Sequence, residues 1–290
     1  MRISDLNWQE PKLELYNWQL GSENFPFWVQ RDDLIHPVVS GNKSRKLRGW
    51  IEHYFREKYN GIITFGGAFS NHLIATASVC KELGIPSLGL VRGDEGFNNP
   101  YLNYCEQMGM QLRFVSRTEY RNKEALSEAY RDFGNLNNLI IPEGGKGQLG
   151  LIGFKDLVDS WNGEFPDIIV HASATATTSA GLALALQDYK APTKVISILV
   201  LKNLPEQESA LLEWGLEGNV EFISDFHFGG YAKVTDELET FIQAVNNRIN
   251  FPLEPIYTGK AFYALINRVL PKNKGKKVCF LHTGGTFLND

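Results

Sequence analysis

Ser40-Gly41-Asn42-Lys43-Ser44-Arg45-Lys46-Leu47 is followed by a helix-period run whose apolar face is Leu47, Ile51, Tyr54 and Phe55. Ser44 reads as the N-cap of that helix. Lys43, Arg45, Lys46 and Arg48 then crowd the positive end of the helix dipole, where each cation costs about 0.3–1 kcal/mol. A local rule broken this way points to a site, because an anionic ligand relieves the repulsion. Cationic neighbours also favour the neutral amine that a Schiff base requires, so a lysine here suits covalent carbonyl chemistry. On these residues alone, a solvated basic helix start is an equal alternative.

Outward from this stretch, short β-branched runs alternate with helical segments. Strands are expected at 61–65, 86–91, 111–115, 138–141, 167–170, 194–201, 220–223 and 277–282, with helices at 71–83, 99–108 and up to about Arg131. That alternation predicts an α/β fold of parallel sheets covered by helices, in two lobes, with ligands bound between them at the C-terminal ends of strands.

Two more strand-to-helix turns carry polar groups. Gly66-Gly67-Ala68-Phe69-Ser70-Asn71-His72 lets the backbone turn tightly, and Ser70 or Asn71 caps the next helix while free N–H groups suit a carboxylate. In 170–181, five hydroxyl residues fall within seven positions (Ser173, Thr175, Thr177, Thr178, Ser179), a composition that suits a phosphate at a helix N-terminus. Taken singly, a capped turn and chance Ser/Thr enrichment account for either. Gly145-Lys-Gly147-Gln-Leu-Gly150 matches Gly-x-Gly-x-x-Gly. Pro142 and Glu143 nevertheless separate it from its strand, and no acid stands where a ribose is met.

Composition narrows the classes. The chain has 290 residues, 43% hydrophobic and 21% charged, with a net charge of −4, which argues against nucleic acid or an anionic membrane as partner. Met1 to Leu15 has no apolar h-region, and the longest apolar run, 195–201, is too short to span a bilayer. Cys80, Cys105 and Cys279 have no CxxC spacing, and sparse cysteine fits a reducing, cytoplasmic setting. Six histidines show no metal-ligand spacing, so no metal is expected.

Taken in order, these segments resemble the fold-type II pyridoxal-phosphate (PLP) enzymes of the 1-aminocyclopropane-1-carboxylate (ACC) deaminase and D-cysteine desulfhydrase group, from about Arg31 to Gly285. Gly-Asn-Lys-x-Arg-Lys-Leu stands intact at 41–47, Gly-Gly-x-x-Ser-Asn at 66–71, Pro-Glu-Gly-Gly at 142–145 and Tyr-x-Gly-Lys at 257–260. The resemblance implies a two-lobed, tryptophan synthase β-like fold, with 1–45 and 139–290 forming a large PLP-binding domain and 46–138 a small α/β domain. It implies Lys43 as the Schiff-base lysine, and Lys46 with Thr175, Ala176, Thr177 and Thr178 around the phosphate. Asn71, Thr258 and Thr283 are implied at the cofactor, and Ser70, Tyr257 and Tyr231 as catalytic. A homodimer acting on a small amino acid is implied too. Phe69 replaces the group's usual Gln, and Ala174 and Ala176 replace phosphate-loop glycines.

ACC deaminases resemble one another in placing Glu after the first tyrosine, against the pyridine nitrogen. This chain has Thr258 there and Thr283 near its last strand, as D-cysteine desulfhydrases do. A neutral hydroxyl holds a weaker electron sink than a carboxylate, adequate for expelling a good leaving group. The expected reaction is therefore β-elimination from a small D-amino acid, giving a 2-oxo acid and ammonia. Lys43 acts as general base, and Tyr257 and Tyr231 position the leaving group. ACC deamination is the alternative within the fold. A nucleotide-binding oxidoreductase on Gly145–Gly150, or a PLP carrier without turnover, is the alternative from another class.

Overall fold

The computed structural model describes residues 6, 8–93, 99–202, 204–230 and 232–285. The chain divides into two units, each with its own sheet: Met1–Trp8, His36–Val39 and Lys43–Gly153 form one, and Gln9–Ile35, Ser40–Asn42 and Phe154–Asp290 the other.

The first unit holds a four-stranded, all-parallel sheet in the order β5-β4-β3-β6, from β3 (Gly61–Gly67), β4 (Ser87–Arg92), β5 (Gln111–Val115) and β6 (Asn138–Ile141). Its helices are α1 (Asn42–Arg56, entering from the other unit), α2 (Asn71–Glu82), α3 (Pro100–Gln107), α4 (Lys123–Tyr130) and the short α5 (Leu149–Ile152). The central strand β3 is buried almost throughout, and alternate residues serve opposite faces. Ile62 packs with Leu47, Ile51 and Tyr54 of α1, while Ile63 and Phe65 pack with Leu88, Leu90 and Tyr120. The expected apolar face of α1 is thus the one it buries. The small lobe read as 46–138 stops short of this sheet's edge, because β6 pairs with β3.

The second unit holds a six-stranded sheet in the order β1-β2-β10-β7-β8-β9, from β1 (Lys12–Leu20), β2 (Glu23–Arg31), β7 (Ile168–Ser173), β8 (Lys194–Leu199), β9 (Val220–Ile223) and β10 (Val278–Leu281). All its pairings are parallel except that of β1 with β2. Helices α6 (Lys155–Asp159), α7 (Thr177–Asp188), α8 (Leu204–Glu213), α9 (Asp236–Asn246), α10 (Thr258–Ala264) and α11 (Leu270–Lys272) complete it. Along β7, Ile168, Val170 and Ala172 face a cluster with Phe27, Phe262 and Phe280, whereas Ile169 faces Phe154, Leu182 and Leu186. Truncating an aromatic such as Phe262, 0% exposed, costs about 3–5 kcal/mol.

Two further sequence expectations differ from the structure. The β1–β2 hairpin was absent from the expected strands, although Gly21-Ser22 between two alternating nine-residue runs signals it, with Gly21 at φ +62°. Pro26 is tolerated in β2 because the ladder to β10 covers only Trp28, Val29 and Gln30. Ser44 is not the cap of α1, which begins at Asn42, so Ser44 is a buried first-turn residue. The earlier start follows from the docking of Gly41.

Candidate cofactor and active site

Gly41 has φ +63°, and a Cβ there would lie 2.0 Å from the carbonyl carbon and oxygen of Thr283. Only glycine lets the chain come this close, and with it the Asn42 N–H reaches the Thr283 carbonyl at 3.3 Å. Gly41 N–H also donates to the Asp32 carbonyl at 2.8 Å. The Asn42 side chain donates to Thr178 Oγ1 at 3.0 Å. Asn42, Thr178 and Thr283, three residues far apart in sequence, are therefore tied together immediately before Lys43.

Thr178 lies in the first turn of α7, which no side chain caps. Thr177 and Thr178 are buried, Ser173 Oγ donates to Gln207, and Thr175 Oγ1 lies 3.3 Å from Thr177 Oγ1. The unpaired N–H groups of such a turn, beside buried hydroxyls, form an anion site. Ala176 has φ −62° and ψ −8°, and Ala174 is also outside the left-handed region. Neither position needs glycine for its backbone conformation.

In the first unit, Lys46 follows Lys43 by one turn of α1. Lys46 is 3% exposed, and no carboxylate pairs with it among the described residues. Burial, and then the charge of Lys43, push its pKa well below the ordinary lysine value. Its stem lies against Gly145, where a Cβ would sit 3.2 Å from Lys46 Cβ and 3.7 Å from His72 Cε1. Trp50 Nε1 holds the Gly145 carbonyl at 3.2 Å. Gly145 thus belongs to a turn packed on Lys46, and only the four-residue α5 follows it, in place of the long helix a dinucleotide fingerprint opens.

His72 has a fixed tautomer. Thr64 Oγ1 donates to the Ile141 carbonyl at 2.8 Å, so His72 Nε2–H must donate to Thr64, also at 2.8 Å. Nδ1 is then a bare acceptor, buried and without a partner among the described residues. Burial, then Lys43 and Lys46, depress the His72 pKa to about 3, which keeps the ring neutral. Ser70, not Asn71, caps α2, its Oγ accepting the Leu73 N–H at 3.3 Å, and Asn71 is the first helical residue. Phe69 is 46% exposed, with its ring edge-on to Tyr101.

The Tyr-x-Gly-Lys segment of the second unit is built around an acid that the sequence reading missed. Glu254, 4% exposed, accepts the N–H groups of Ile256 (2.7 Å), Tyr257 (2.8 Å) and Thr258 (2.7 Å), and the Thr258 hydroxyl at 3.2 Å. Thr258 Oγ1 in turn accepts the Glu254 N–H at 3.0 Å, a reciprocal cap on α10. Burial raises the Glu254 pKa, and the backbone donors of Thr258, Ile256 and Tyr257 oppose that rise. Gly259 leaves no room for a Cβ, which would meet Ile242 at 2.3 Å and the Glu254 carbonyl at 2.9 Å. Lys260, fully buried, donates to the carbonyls of His227 and Gly230, both at 2.9 Å. The loop it clamps is strained: Phe228 and Ala232 have φ of 50° and 53°. Tyr231, the expected second tyrosine, lies outside the described residues. Tyr257 is half-buried at the head of α10.

No group of His, Cys, Asp and Glu that could hold a metal ion occurs among the described residues. Cys80, Cys105 and Cys279 are free and buried, their thiols pushed up to about 12 mainly by burial, and so are inert.

The family described as pyridoxal-phosphate dependent enzyme matches residues 3–284. A protein of Pyrococcus abyssi carrying the provisional name 1-aminocyclopropane-1-carboxylate deaminase is 30% identical, over 98% of this chain and 91% of its own. A D-cysteine desulfhydrase of Salmonella typhi is 27% identical, over 95% of this chain and 89% of its own. A crystal structure described as an ACC deaminase homologue is 29% identical, with a TM-score of 0.77 over 90% of this chain and 85% of that one.

Proposed function

Because the chain belongs to the pyridoxal-phosphate-dependent enzymes, we propose that it eliminates the β-substituent of a small D-amino acid, as a D-cysteine desulfhydrase does, releasing a 2-oxo acid and ammonia. The observation that carries the cofactor assignment is Lys46, a buried cation whose lowered pKa has no carboxylate to oppose it among the described residues. A dianionic phosphate supplies what is missing. The uncapped first turn of α7 with Thr175, Ala176, Thr177 and Thr178 suits the same group. Bound PLP supplies an electron sink for the carbanion formed at the substrate Cα.

Lys43 would hold the cofactor through its amine, and its Nζ would take the α-proton of the substrate. Asn42, bonded to Thr178 and Thr283, sets the backbone from which Lys43 departs. Ser70 and Asn71, at the N-terminus of α2, receive the substrate carboxylate, and Asn71 also touches the cofactor. Thr258 and Thr283 offer hydroxyls to the ring, and Tyr257 and Tyr231 orient the leaving group. The second unit is then the cofactor-binding domain and the first the small domain. The working form is a cytoplasmic homodimer; an apolar edge at Leu13 and Leu15, 40% and 54% exposed, supports a second copy. ACC deamination is the second reading, favoured by the carboxylate of Glu254 standing behind Thr258.

Lys43→Ala is expected to abolish turnover and, with it, the PLP that borohydride fixes to the chain. A variant that still fixes PLP would sink the assignment. On wild type, 2-oxo acid release from D-cysteine and β-substituted D-alanines is expected to exceed that from ACC. Efficient ACC turnover would move the substrate assignment to the second reading while leaving Lys43 in place.

A further inference from the structure

A buried carboxylate is costly unless its oxygens are fully met, and Glu254 meets that demand with groups that belong to the site. Its donors are the amides of three consecutive residues, Ile256, Tyr257 and Thr258, and the hydroxyl of the last. Tyr257 lies in the middle of these three with φ −124° and ψ −72°, a conformation outside helix and strand, held because its own N–H and those on either side converge on one carboxylate. The same acid decides what Thr258 can do. A threonine hydroxyl has one proton, and here it points to Glu254 Oε1 while Oγ1 accepts the Glu254 N–H. What Thr258 can offer any further group is a lone pair, not a proton.

We propose that Glu254 is a positioning residue for the reaction, fixing Tyr257 at the head of α10 and committing the Thr258 hydroxyl proton so that this hydroxyl acts as an acceptor. The proposal rests on the reading of Tyr257 as catalytic. A cap serving helix stability alone needs no buried charge, since a surface Ser, Thr or Asp does as well. Nor can a neutral isostere replace this one: the amide of Gln turns an NH2 toward converging N–H donors and leaves at least one unmet.

The test is a series of PLP-loaded variants, Glu254→Asp and Glu254→Gln, assayed on D-cysteine and examined by amide hydrogen exchange. For Glu254→Gln, kcat is expected to fall about 10–100-fold, the scale of losing a supporting hydrogen-bonded group. KM and PLP affinity are expected to stay within about threefold, because the loss is confined to a transition-state interaction. Exchange is expected to rise at 256–259 and not in β3. Glu254→Asp keeps the charge one methylene short and is expected to fall between wild type and Gln in both readouts. Should the Gln variant fail to fold, the Asp variant carries the test by the same pairing of kcat with exchange. Wild-type kcat despite raised exchange at 256–259, or lost kcat without raised exchange, overturns the proposal. Tyr257→Phe separates the two readings. If it retains full kcat, the catalytic reading of Tyr257 falls and this inference with it. If it loses turnover while Glu254→Gln does not, only this inference falls.

Discussion

Two lysines, each buried in a different unit, differ in what surrounds them. Lys260, 0% exposed, places its ammonium between two backbone carbonyls; burial lowers its pKa, and the charge of Glu254 opposes that fall. Lys46, 3% exposed, has only another lysine as a charged neighbour among the described residues, and the Nδ1 of the nearby His72 is bare. The helix N-termini repeat the contrast: α10 carries its own anion in Glu254, while no side chain caps α7. A buried charge that the fold has already satisfied is scaffold. One that it leaves without a counter-charge is where we propose that an anionic group binds, and Lys46 and the first turn of α7 each suit such a group.

Exchanging each lysine for methionine, close in volume but neutral, tests that distinction hardest. Lys260→Met strands two carbonyls and releases a strained loop, so urea unfolding is expected to show a loss of about 2–4 kcal/mol. Lys46→Met removes an unmet buried cation, and the PLP-free protein is expected to hold its stability or gain about 1 kcal/mol. PLP affinity is expected to fall about 10–100-fold in Lys46→Met, the value of a lost charge-assisted contact. Equal destabilisation of both PLP-free variants would erase the comparison, and unchanged PLP affinity in Lys46→Met would remove Lys46 from the phosphate.

The unsatisfied side of this contrast was legible in the sequence and the satisfied side was not. Cations crowded after Gly41-Asn42 break a helix rule, and a broken rule is visible in one dimension. So is the alternation of strand and helix that yields two sheets of parallel strands. Glu254 was invisible because its partners are mostly backbone amides, which every residue but proline has, and nothing in Glu-Pro-Ile-Tyr says which way they point. Its presence also alters how the sequence argument is tested. Thr258→Glu, the direct route to a stronger sink, would bury a second carboxylate against the first at a position with 0% exposure. The β1–β2 hairpin escaped for a different reason: Lys12–Leu20 is mostly exposed, and its apolar Leu13 and Leu15 are on the exposed side, so its alternation does not mark a buried face.

His72 gives the comparison a pH axis. Its pKa in the folded chain is about 3, against 6.5 for the free side chain, so the unfolded state takes up a proton that the folded state refuses. The associated stability is fully present above pH 6.5 and is lost as the pH falls from there toward 3. Between pH 6.5 and 5 the loss amounts to about 2 kcal/mol. His282, buried with a lowered pKa, acts in the same direction and leaves a residual slope. In His72→Gln, whose amide nitrogen takes the place of Nε2 and can still donate to Thr64, the fall in unfolding free energy across this window is expected to shrink by about 2 kcal/mol. An unchanged slope would mean that the ring is not held neutral against Lys43 and Lys46.

The smallest effect is expected at Ala176, one of the two positions, with Ala174, where the resemblance calls for glycine. The demand has two possible physical sources, a left-handed backbone or a Cβ too close to the phosphate. The first does not apply, because φ −62° and ψ −8° are ordinary for alanine. Restoring glycine at this junction adds freedom to the unfolded chain and is expected to cost about 0.5–1 kcal/mol of stability. If the N–H groups of α7 and the charge of Lys46 supply the grip on the phosphate, PLP affinity in Ala176→Gly is expected to stay within about twofold of wild type. Absorbance titration of the PLP-free protein measures it directly. A gain of tenfold or more, about 1.4 kcal/mol, would show that the methyl group stands in the phosphate's way, and would make the uncapped turn of α7 a compromised site instead of a complete one.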